Sequence, residues 1–259
     1  MNEKLKAFER LLNIMDELRE KCPWDQKQTI ESLRHLTIEE TYELSEAIAE
    51  NSITDIKKEL GDVLLHIIFY AKIASETDAF DITDVINSLC EKLIFRHPHV
   101  FGDVKVKDAD EVKTNWEHLK IKEGNRSILA GVPKSLPALI KAHRIQDKVR
   151  SVGFDWDERS QIWEKVKEEI SELETEIERS DKEKMEAEFG DVLFSLVNAA
   201  RLYDIDPEMA LERTNKKFIK RFNFLEEQTI KKGQSLHDMS LDEMNLIWEK
   251  AKEFDKKQN

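Results

Sequence analysis

The sequence predicts an all-α protein, and three observations support this fold class. Only 7 of the 259 residues are glycine and 5 are proline, while 37% are charged, which is typical of long helices joined by few turns. Apolar residues recur at intervals of three and four, as one face of a helix requires. No stretch alternates apolar and polar residues over the length of a strand, so we expect no β-sheet.

The first half of the chain divides into helical segments separated by short breaks. Residues 3–20 are amphipathic, and Cys-Pro-Trp-Asp at 22–25 ends that helix. A helical pair follows from Thr37 to about Ala74. The remaining predicted segments are a turn at 78–84, a helix to about Phe95, a loop from Arg96 to Asp108, and a short helix that carries Trp116 and Lys120.

The second half repeats this organisation after a stretch that is rich in Gly and Pro. Residues 124–137 contain Gly124, Gly131, Pro133 and Pro137, which favour a linker. A helix then runs to about residue 152, Gly-Phe-Asp-Trp-Asp at 153–157 forms a break, and a second helical pair begins near residue 160. We therefore predict an N-terminal domain at residues 1–121, a linker at 122–137 and a C-terminal domain at 138–259.

Acidic residues in the first helical pair share faces with apolar residues. The pattern Glu-Glu-x-x-Glu ends at Glu43, and Glu-x-x-Asp ends at Asp62 just before the apolar run at 63–71. Since helical neighbours lie three or four residues apart, four carboxylates point toward the expected core. These carboxylates are Glu40, Glu43, Glu59 and Asp62. Burying them ionised and unpaired costs several kcal/mol each, so they need a counter-ion, and a hard divalent cation suits an all-oxygen set.

Two simpler interpretations of these acids are a solvated acidic surface and a helix cap. The chain has 54 acidic residues, so acidic pairs three or four apart arise by chance. Thr37 followed by Glu40 is also typical of a capping box, which would explain acids in a first helical turn.

The second half favours the metal site because it repeats the acids with the same spacing. Glu169, Glu172, Glu188 and Asp191 follow the first set by 129 residues, and 16 residues separate the middle pair in both copies. In this copy the first acids lie well inside a predicted helix, so capping does not account for them. Each copy also keeps a glycine beside its last Asp, which costs about 1 kcal/mol in a helix interior and suggests that another backbone or a ligand lies close by.

Basic and aromatic residues recur in the same order after the acids. Lys-x-x-x-Arg ends at Arg96 and Arg221, and Trp-x-x-x-Lys ends at Lys120 and Lys252. The offsets are 125 and 132 residues, so two copies of one module differ by short loop insertions. Lys and Arg one turn apart on a helix are often only solvated charges, and a Trp near a domain end is often a core residue. Because both recur in order after the acids, we expect Lys217 and Arg221 to bind phosphate and Trp248 to stack on a base. Histidines are read more simply: we expect His66 in the core, and His97 and His99 in a structured loop.

Bulk properties exclude several classes of partner. The net charge of −13 disfavours nucleic acid, and no apolar run is long enough to cross a membrane. Two cysteines, Cys22 and Cys90, are too few for a disulfide framework and indicate a reducing cytoplasm. The N-terminus lacks the apolar segment of a signal peptide.

Taken together, the motifs resemble the tandem-domain nucleoside triphosphate pyrophosphohydrolases of the MazG family. The resemblance covers nearly the whole chain. Besides the duplicated acids, it includes Cys-Pro-Trp-Asp, Leu-Gly-Asp-Val-Leu, Arg-His-Pro-His-Val-Phe and Val-Gly-Phe-Asp-Trp. It implies an all-α helical bundle that forms a homodimer, requires Mg²⁺ (or Mn²⁺), and cleaves nucleoside triphosphates to monophosphates and pyrophosphate.

The resemblance also implies roles for individual residues. In the C-terminal copy Glu169, Glu172, Glu188 and Asp191 would bind metal, and Glu168 would assist them or the attacking water. Nucleotide-binding residues would be Lys217, Arg221, Trp248 and Lys252. The first-copy counterparts are Glu40, Glu43, Glu59, Asp62, Lys92, Arg96, Trp116 and Lys120. Because the N-terminal copy can be weak or regulatory in this family, we expect the main activity in the C-terminal copy.

The residue types fit this chemistry independently of the family. No Ser–His or Cys–His arrangement is evident, so water bound to the metal should attack directly. A glutamate beside the metal can accept its proton, and Lys and Arg offset phosphate charge. No P-loop is present, which argues against a kinase or motor.

Three alternatives remain at this point. A di-iron carboxylate protein would use Glu-x-x-His motifs, which neither copy contains. A pyrophosphohydrolase restricted to one nucleotide, such as dUTP, would share the same acids. A non-enzymatic helical scaffold or regulator would be indifferent to Mg²⁺.

Overall fold

The computed structural model describes residues 2–108, 111–112, 115–116, 119 and 127–258, with side chains through Glu253. These residues contain helices and connecting turns but no strand, which confirms the predicted all-α class. Met1–Asp108 and Ala109–Asn259 form two compact units. Lys120 and most of the short helix predicted around Trp116 lie outside the described residues, as do residues 122–126 of the predicted linker.

The first unit is built around a helical hairpin. Its described helices are α1 (Glu3–Lys21), α2 (Ile30–Ala49), α3 (Ile53–Ser75), α4 (Ile82–Arg96) and α5 (Pro98–Phe101). Only three residues connect α2 to α3, and Asn51 among them has a φ of 54°, a left-handed conformation that Asn tolerates at helix ends. This tight connection makes the two helices neighbours along their lengths.

Helix α2 begins earlier than predicted. Thr29 is its N-cap, and the Thr29 and Ser32 side chains satisfy each other's backbone N–H groups in a capping box. Thr37 therefore lies inside the helix, where its hydroxyl donates to the Leu33 carbonyl oxygen. The capping interpretation of Thr37 and Glu40 is wrong, because the helix already has its cap eight residues earlier, at Thr29.

The core of the first unit joins α1, α2 and α3. Met15, Leu33, Ile68 and Phe69 are almost fully buried and form one apolar cluster. Arg19 holds the break that follows α1: its guanidinium donates to both carboxylate oxygens of Glu76, at 2.8 and 2.7 Å, and to the Asp25 and Gln28 carbonyl oxygens. The break is thus fixed against the end of α3.

The apolar run at residues 63–71 is only partly buried. Ile68, Phe69 and Ala71 are buried, whereas Leu64, Leu65 and Ile67 remain 37%, 36% and 44% exposed. The expectation that this run is buried all round is wrong for the single chain. One stripe of α3 meets the core, and no described element covers the opposite stripe.

The second unit repeats the hairpin with different flanking helices. Its described helices are α6 (Ala138–Arg150), α7 (Ile162–Arg179), α8 (Lys182–Leu202), α9 (Pro207–Ile230) and α10 (Leu241–Gln258). Ser180, with a φ of 58°, and Asp181 connect α7 to α8, so these helices form the counterpart of α2 and α3. Helix α6 packs against α8 and α9, and α10 packs along α9.

A buried arginine fixes the break that precedes α7. Arg201, on α8, donates to both carboxylate oxygens of Asp155 and to the side-chain oxygen of Asn198. Burial alone would raise the pKa of Asp155, but the hydrogen bonds and charge of Arg201 lower it on balance. Gly153 supplies the φ of 86° that turns the chain into this break.

Candidate metal and nucleotide site

The α2–α3 hairpin brings three carboxylates of the first copy together. Glu40, Glu43 and Glu59 each offer an oxygen, and these oxygens all lie within 4.8 Å of one another. Glu59 is buried, Glu40 is half-buried and Glu43 is exposed. The expectation that all the acids face the core is therefore wrong for Glu43, because the cluster lies at the edge of the hairpin, where one side meets solvent.

A lysine neutralises part of the first cluster. Lys58 Nζ donates to Glu59 Oε1 at 2.9 Å and lies 4.0 Å from Asp62 Oδ2. Burial raises the pKa of Glu40, and the charges of Asp62, Glu43 and the other nearby acids raise it further. Asp62 is therefore close enough to act on the cluster electrostatically.

The α7–α8 hairpin forms the equivalent cluster in the second copy. Oxygens of Glu169, Glu172 and Glu188 again lie within 4.8 Å of one another. Lys165 Nζ donates to Glu169 at 2.7 Å and to Glu168 at 2.9 Å, and these hydrogen bonds raise its pKa.

One member of the second cluster has a raised pKa despite this lysine. Burial raises the pKa of Glu188, and the charges of Glu172, Asp191 and Glu169 add to the shift. Glu172 is exposed and Glu169 is buried, so this cluster also lies at the edge of its hairpin.

The donor set of both clusters suits a hard divalent cation. Oxygens around Mg²⁺ are about 2.9 Å apart when adjacent and about 4.2 Å apart when opposite, so oxygens spread over up to 4.8 Å would move inward by up to about 2 Å to bind one ion together. Glu59 Oε2 is buried and accepts no hydrogen bond from the described residues. The same is true of Glu176 Oε2 on α7. A buried carboxylate oxygen without a donor is costly, and a cation would satisfy Glu59.

The predicted nucleotide-binding residues of the second copy lie on α9 and α10. Lys217 and Arg221 are one turn apart on α9, which packs against α8 and α10. Trp248 on α10 is half-buried, with its ring centroid 5.0 Å from that of Phe218. Lys252 Nζ donates to Glu249 at 2.6 Å. The predicted phosphate-binding residues therefore lie on a helix that contacts α8, one of the two helices that carry the carboxylates.

The first-copy counterparts are only partly described. Lys92 and Arg96 lie in the last two turns of α4, which contacts α3. Trp116 is half-buried, and Lys120 is among the residues that are not described.

The histidines do not join the acid clusters. His66 is buried, and its Nδ1 lies 3.0 Å from Thr37 Oγ1, which also lies 2.5 Å from the Tyr70 hydroxyl. Burial lowers the pKa of His66, as expected for a core histidine. His97 Nδ1 lies 2.6 Å from the Leu93 carbonyl oxygen and its ring faces His99 across the turn after α4.

A cavity of about 510 Å³ adjoins the second cluster, and the sequence did not predict it. Glu169 and Asp191 form part of its lining, together with residues of α6, the break at 153–156 and α8. Neither cluster lysine was predicted either. The lysine lies on the second helix of the hairpin in the first copy and on the first helix in the second copy. The sequence did contain a signal for the cavity, because the second copy has the small Ser195 where the first copy has His66.

The helical glycines beside the acids have open space around them. A Cβ atom on Gly61 or Gly190 would meet nothing within 4 Å. The expectation of a close backbone neighbour is therefore not met within the single chain, which leaves that space open to a ligand or a second subunit.

Comparisons with known proteins show the family. A family model described as the MazG nucleotide pyrophosphohydrolase domain matches residues 28–101 and 158–224. The nucleoside triphosphate pyrophosphohydrolase/pyrophosphatase MazG of Thermotoga maritima is 45% identical over 97% of this chain and 98% of its own. The nucleoside triphosphate pyrophosphohydrolase of Escherichia coli K12 is 39% identical over 96% and 98% of the two chains.

A crystal structure of a mazG-related protein from Thermotoga maritima is also similar, with 31% identity and a TM-score of 0.39 over 44% of this chain and 98% of that one. The two matched segments of the family model fall on the two hairpins that bear the carboxylate clusters. The prediction of two tandem modules is therefore confirmed, and the chain belongs to the MazG nucleotide pyrophosphohydrolase domain family.

Proposed function

We propose that this protein hydrolyses nucleoside triphosphates to nucleoside monophosphates and pyrophosphate, with Mg²⁺ as the preferred ion and Mn²⁺ as a substitute. The observation that supports this most is the convergence of three carboxylates in each copy, within a chain of this family. The names of the two full-length relatives support the same activity.

In the C-terminal copy, Glu169, Glu172, Glu188 and Asp191 would hold the cation. When bound, Mg²⁺ supplies positive charge to phosphate oxygens and lowers the pKa of a coordinated water. Glu168 is exposed and adjacent to the cluster, so it would accept the proton of the attacking water. A new phosphorus–oxygen bond forms as the bond between the α- and β-phosphates breaks, and pyrophosphate leaves.

The basic residues would bind the phosphate chain. Lys217, Arg221 and Lys252 would offset charge on the phosphates and on the leaving pyrophosphate, and Trp248 would contact the nucleotide. Their first-copy counterparts would do the same on a smaller scale, around a cation held by Glu40, Glu43, Glu59 and Asp62. We propose that the C-terminal copy carries the main activity.

A homodimer would cover the apolar surface that the chain leaves exposed. On α4, Leu89 and Leu93 are 45% and 41% exposed, and on α9, Phe218 and Phe222 are 57% and 38% exposed. Rows of exposed apolar side chains on one helix are typical of subunit interfaces. Chromatography with light scattering tests this proposal, and a mass near the 30.4 kDa of one chain would contradict it.

The proposed domains extend from 1 to 121 and from 138 to 259, joined by a linker at 122–137. We also propose a cytoplasmic location. Cys22 and Cys90 are free thiols, and a reducing compartment keeps thiols in this state. No helix among the described residues is both long and apolar enough to cross a membrane.

Pyrophosphate release from a panel of NTPs and dNTPs, with and without Mg²⁺, tests the proposed activity. We expect hydrolysis that requires the ion, and we expect Mg²⁺ to raise the melting temperature because it binds only the folded state. Activity on a single nucleotide such as dUTP would instead indicate a dedicated enzyme. A folded protein that neither binds Mg²⁺ by calorimetry nor cleaves any nucleotide would support a scaffold or regulator.

A further inference from the structure

Lys165 joins two neighbouring glutamates that have different roles in the proposed function. Its Nζ lies 2.9 Å from Glu168 Oε1 and 2.7 Å from Glu169 Oε1. Lysine three and four residues before the glutamates puts all three side chains on one side of α7. Glu169 is a proposed ion ligand, whereas Glu168 is the proposed acceptor of a proton from water. One ammonium group therefore connects the ion site to the proposed base.

The position of Lys165 is fixed better than that of a lysine in a surface ion pair. Pairs between two exposed side chains order them little, but the Glu169 side chain is only 9% exposed and that of Lys165 is 36% exposed. The hydrogen bond to Glu169 is also the largest cause that raises the pKa of Lys165. Since a carboxylate has two oxygens, an ion at Glu169 need not displace this lysine, and ligating carboxylates commonly keep such hydrogen bonds.

Glu168 needs an anchor if it is to accept a proton at one defined place. Its side chain is 55% exposed, and an exposed glutamate samples several rotamers. A general base works only when one of its oxygens lies within about 3.2 Å of the group that loses the proton. The bond from Lys165 to Oε1 restricts these rotamers and leaves the other carboxylate oxygen to accept the proton.

The first copy has an apolar residue where the second has this lysine. With the 129-residue offset of the acids, Lys165 corresponds to Leu36 and Glu168 to Glu39. Leu36 packs against the core cluster of the first unit, so the position faces the interior of the hairpin rather than open solvent. In the second copy Lys165 likewise lines the cavity between α6, α7 and α8.

The cluster lysine of the first copy binds other carboxylates. Lys58 Nζ lies 2.9 Å from Glu59 and 4.0 Å from Asp62, both on α3. Among the described residues no lysine or arginine forms an ion pair with Glu39, the counterpart of Glu168. The second copy has Ala187 where the first has Lys58. The two copies thus place their lysine against different parts of the same acidic motif.

From these contacts we propose that Lys165 is a positioning residue that holds Glu168 for proton transfer in the second copy. The proposal rests on the proposed function, because Glu168 accepts a proton only if water attacks the nucleotide. It gives a physical reason for a more active second copy: both copies keep the acids for an ion, but only the second holds its adjacent glutamate with a lysine.

Replacing the lysine tests this role. Lys165→Met keeps most of the side-chain length but removes the donor, and we expect kcat for ATP to fall at least tenfold with KM within twofold of the wild type. Lys165→Arg can still donate to both carboxylates and should recover most of kcat. Lys167→Met removes an exposed lysine two residues further on and, as the matched control, should change neither value.

A double-mutant cycle separates positioning from direct contact with the substrate. Glu168→Gln should lower kcat by about 100-fold, as loss of a general base does. If Lys165 acts only through Glu168, adding Lys165→Met to Glu168→Gln should lower kcat by less than a further twofold. A further tenfold loss would overturn the proposal, and so would a raised KM with unchanged kcat in Lys165→Met, because the lysine would then act on the substrate itself.

Nuclear magnetic resonance of the ¹⁵N-labelled lysine side chains tests the contact without catalysis. In the full-length protein with saturating Mg²⁺, the Lys165 ammonium resonance, identified by its loss in Lys165→Arg, should shift in Glu168→Gln. An unchanged resonance would overturn the proposal even where Lys165→Met does not fold. A wild type that cleaves no nucleotide would overturn the proposed function as well, whereas an active wild type with full kcat in Lys165→Met would overturn only the role of Lys165.

Discussion

The two carboxylate clusters share one geometry but have different surroundings. Each is formed by a helical hairpin that brings three glutamates within 4.8 Å. Beside the first cluster, Thr37, His66 and Tyr70 form a hydrogen-bonded group. Beside the second, smaller side chains border a cavity of about 510 Å³.

This difference teaches that the two copies have kept the spacing of their carboxylates while the side chains around the carboxylates have changed in size. The acids keep their spacing because helix geometry fixes which carboxylates can meet. The neighbouring positions pack against side chains rather than a cation, so they tolerate exchanges of size as long as the core stays filled. Identical acidic motifs therefore predict similar ion binding in both copies but not similar use of nucleotides.

The largest expected effect comes from removing one equivalent ligand from each copy. Asp191→Ala should lower NTP hydrolysis by at least about 100-fold, since the cation both activates water and stabilises the leaving group. Asp62→Ala should retain a substantial part of the activity. Pyrophosphate release from both purified variants measures this.

Circular dichroism and light scattering must first show that both aspartate variants keep native helicity and oligomeric mass. A folded Asp191→Ala protein with wild-type activity, beside an inactive Asp62→Ala protein, would reverse the assignment of the main site.

Removing one arginine from each basic pair sharpens the same comparison. Arg221→Ala should lower kcat/KM by about 10- to 100-fold for every nucleotide alike, because all of them share the triphosphate. Arg96→Ala should lower it by a smaller factor. Steady-state kinetics on a purine and a pyrimidine triphosphate measure both changes, and wild-type kinetics for Arg221→Ala would remove that residue from the site.

The carboxylates that pair with the two arginines differ in exposure, at 38% for Glu76 and 20% for Asp155, and this predicts different losses of stability. Asp155→Asn should lower the free energy of unfolding at pH 7 by about 2–3 kcal/mol, because it leaves buried Arg201 without its carboxylate. Glu76→Gln should cost about 1 kcal/mol or less, because Glu76 is 38% exposed. Urea titrations measure both values.

The pH dependence of this loss has a definite sign. The native pKa of Asp155 is below its ordinary value of 3.8, so its ion pair contributes fully above that value. The contribution is lost as the pH falls through the lowered native pKa. Wild type and Asp155→Asn should therefore converge in stability in acid, and a difference that stays constant down to pH 2 would contradict this account.

The smallest effects concern the paired glycines. Gly61→Ala and Gly190→Ala should each raise the free energy of unfolding by about 0.4–1 kcal/mol, because helical alanine is favoured and a Cβ meets no atom within 4 Å. Thermal melts of the two variants measure this. Gly190→Ala with higher stability but lower activity would show that a ligand or second subunit uses the open space in the second copy.

Helix periodicity predicted the all-α class and three of the four acids expected to converge in each copy, because both follow from three- and four-residue spacing. Asp62 and Asp191 were expected in these clusters but are not among the three carboxylates that meet in each. It failed where the outcome depends on packing between segments. Thr37 resembled a cap because the sequence before it also has helical character, and only the bonds of Thr29 mark the true start. The apolar run on α3 resembled a fully buried helix because spacing alone does not count the neighbours available to cover it.

The cavity and the cluster lysines were harder to predict from the sequence. The cavity depends on how α6, α8 and the break at Gly153 meet, which involves residues 40 or more positions apart. Lys58 precedes its acid by one residue on α3, whereas Lys165 lies one turn before its acids on α7. Because the two lysines occupy different positions in the repeat, alignment of the copies does not reveal their common role.

Because of those lysines, a cation that binds a cluster would compete with a positive charge that is already there. A divalent cation that approaches Glu169 would meet the Lys165 ammonium group, which lies 2.7 Å from Glu169 Oε1, so the two positive charges would compete for this carboxylate. In the ion-free protein the lysine neutralises part of the negative charge of each cluster, so we expect the chain to fold without metal.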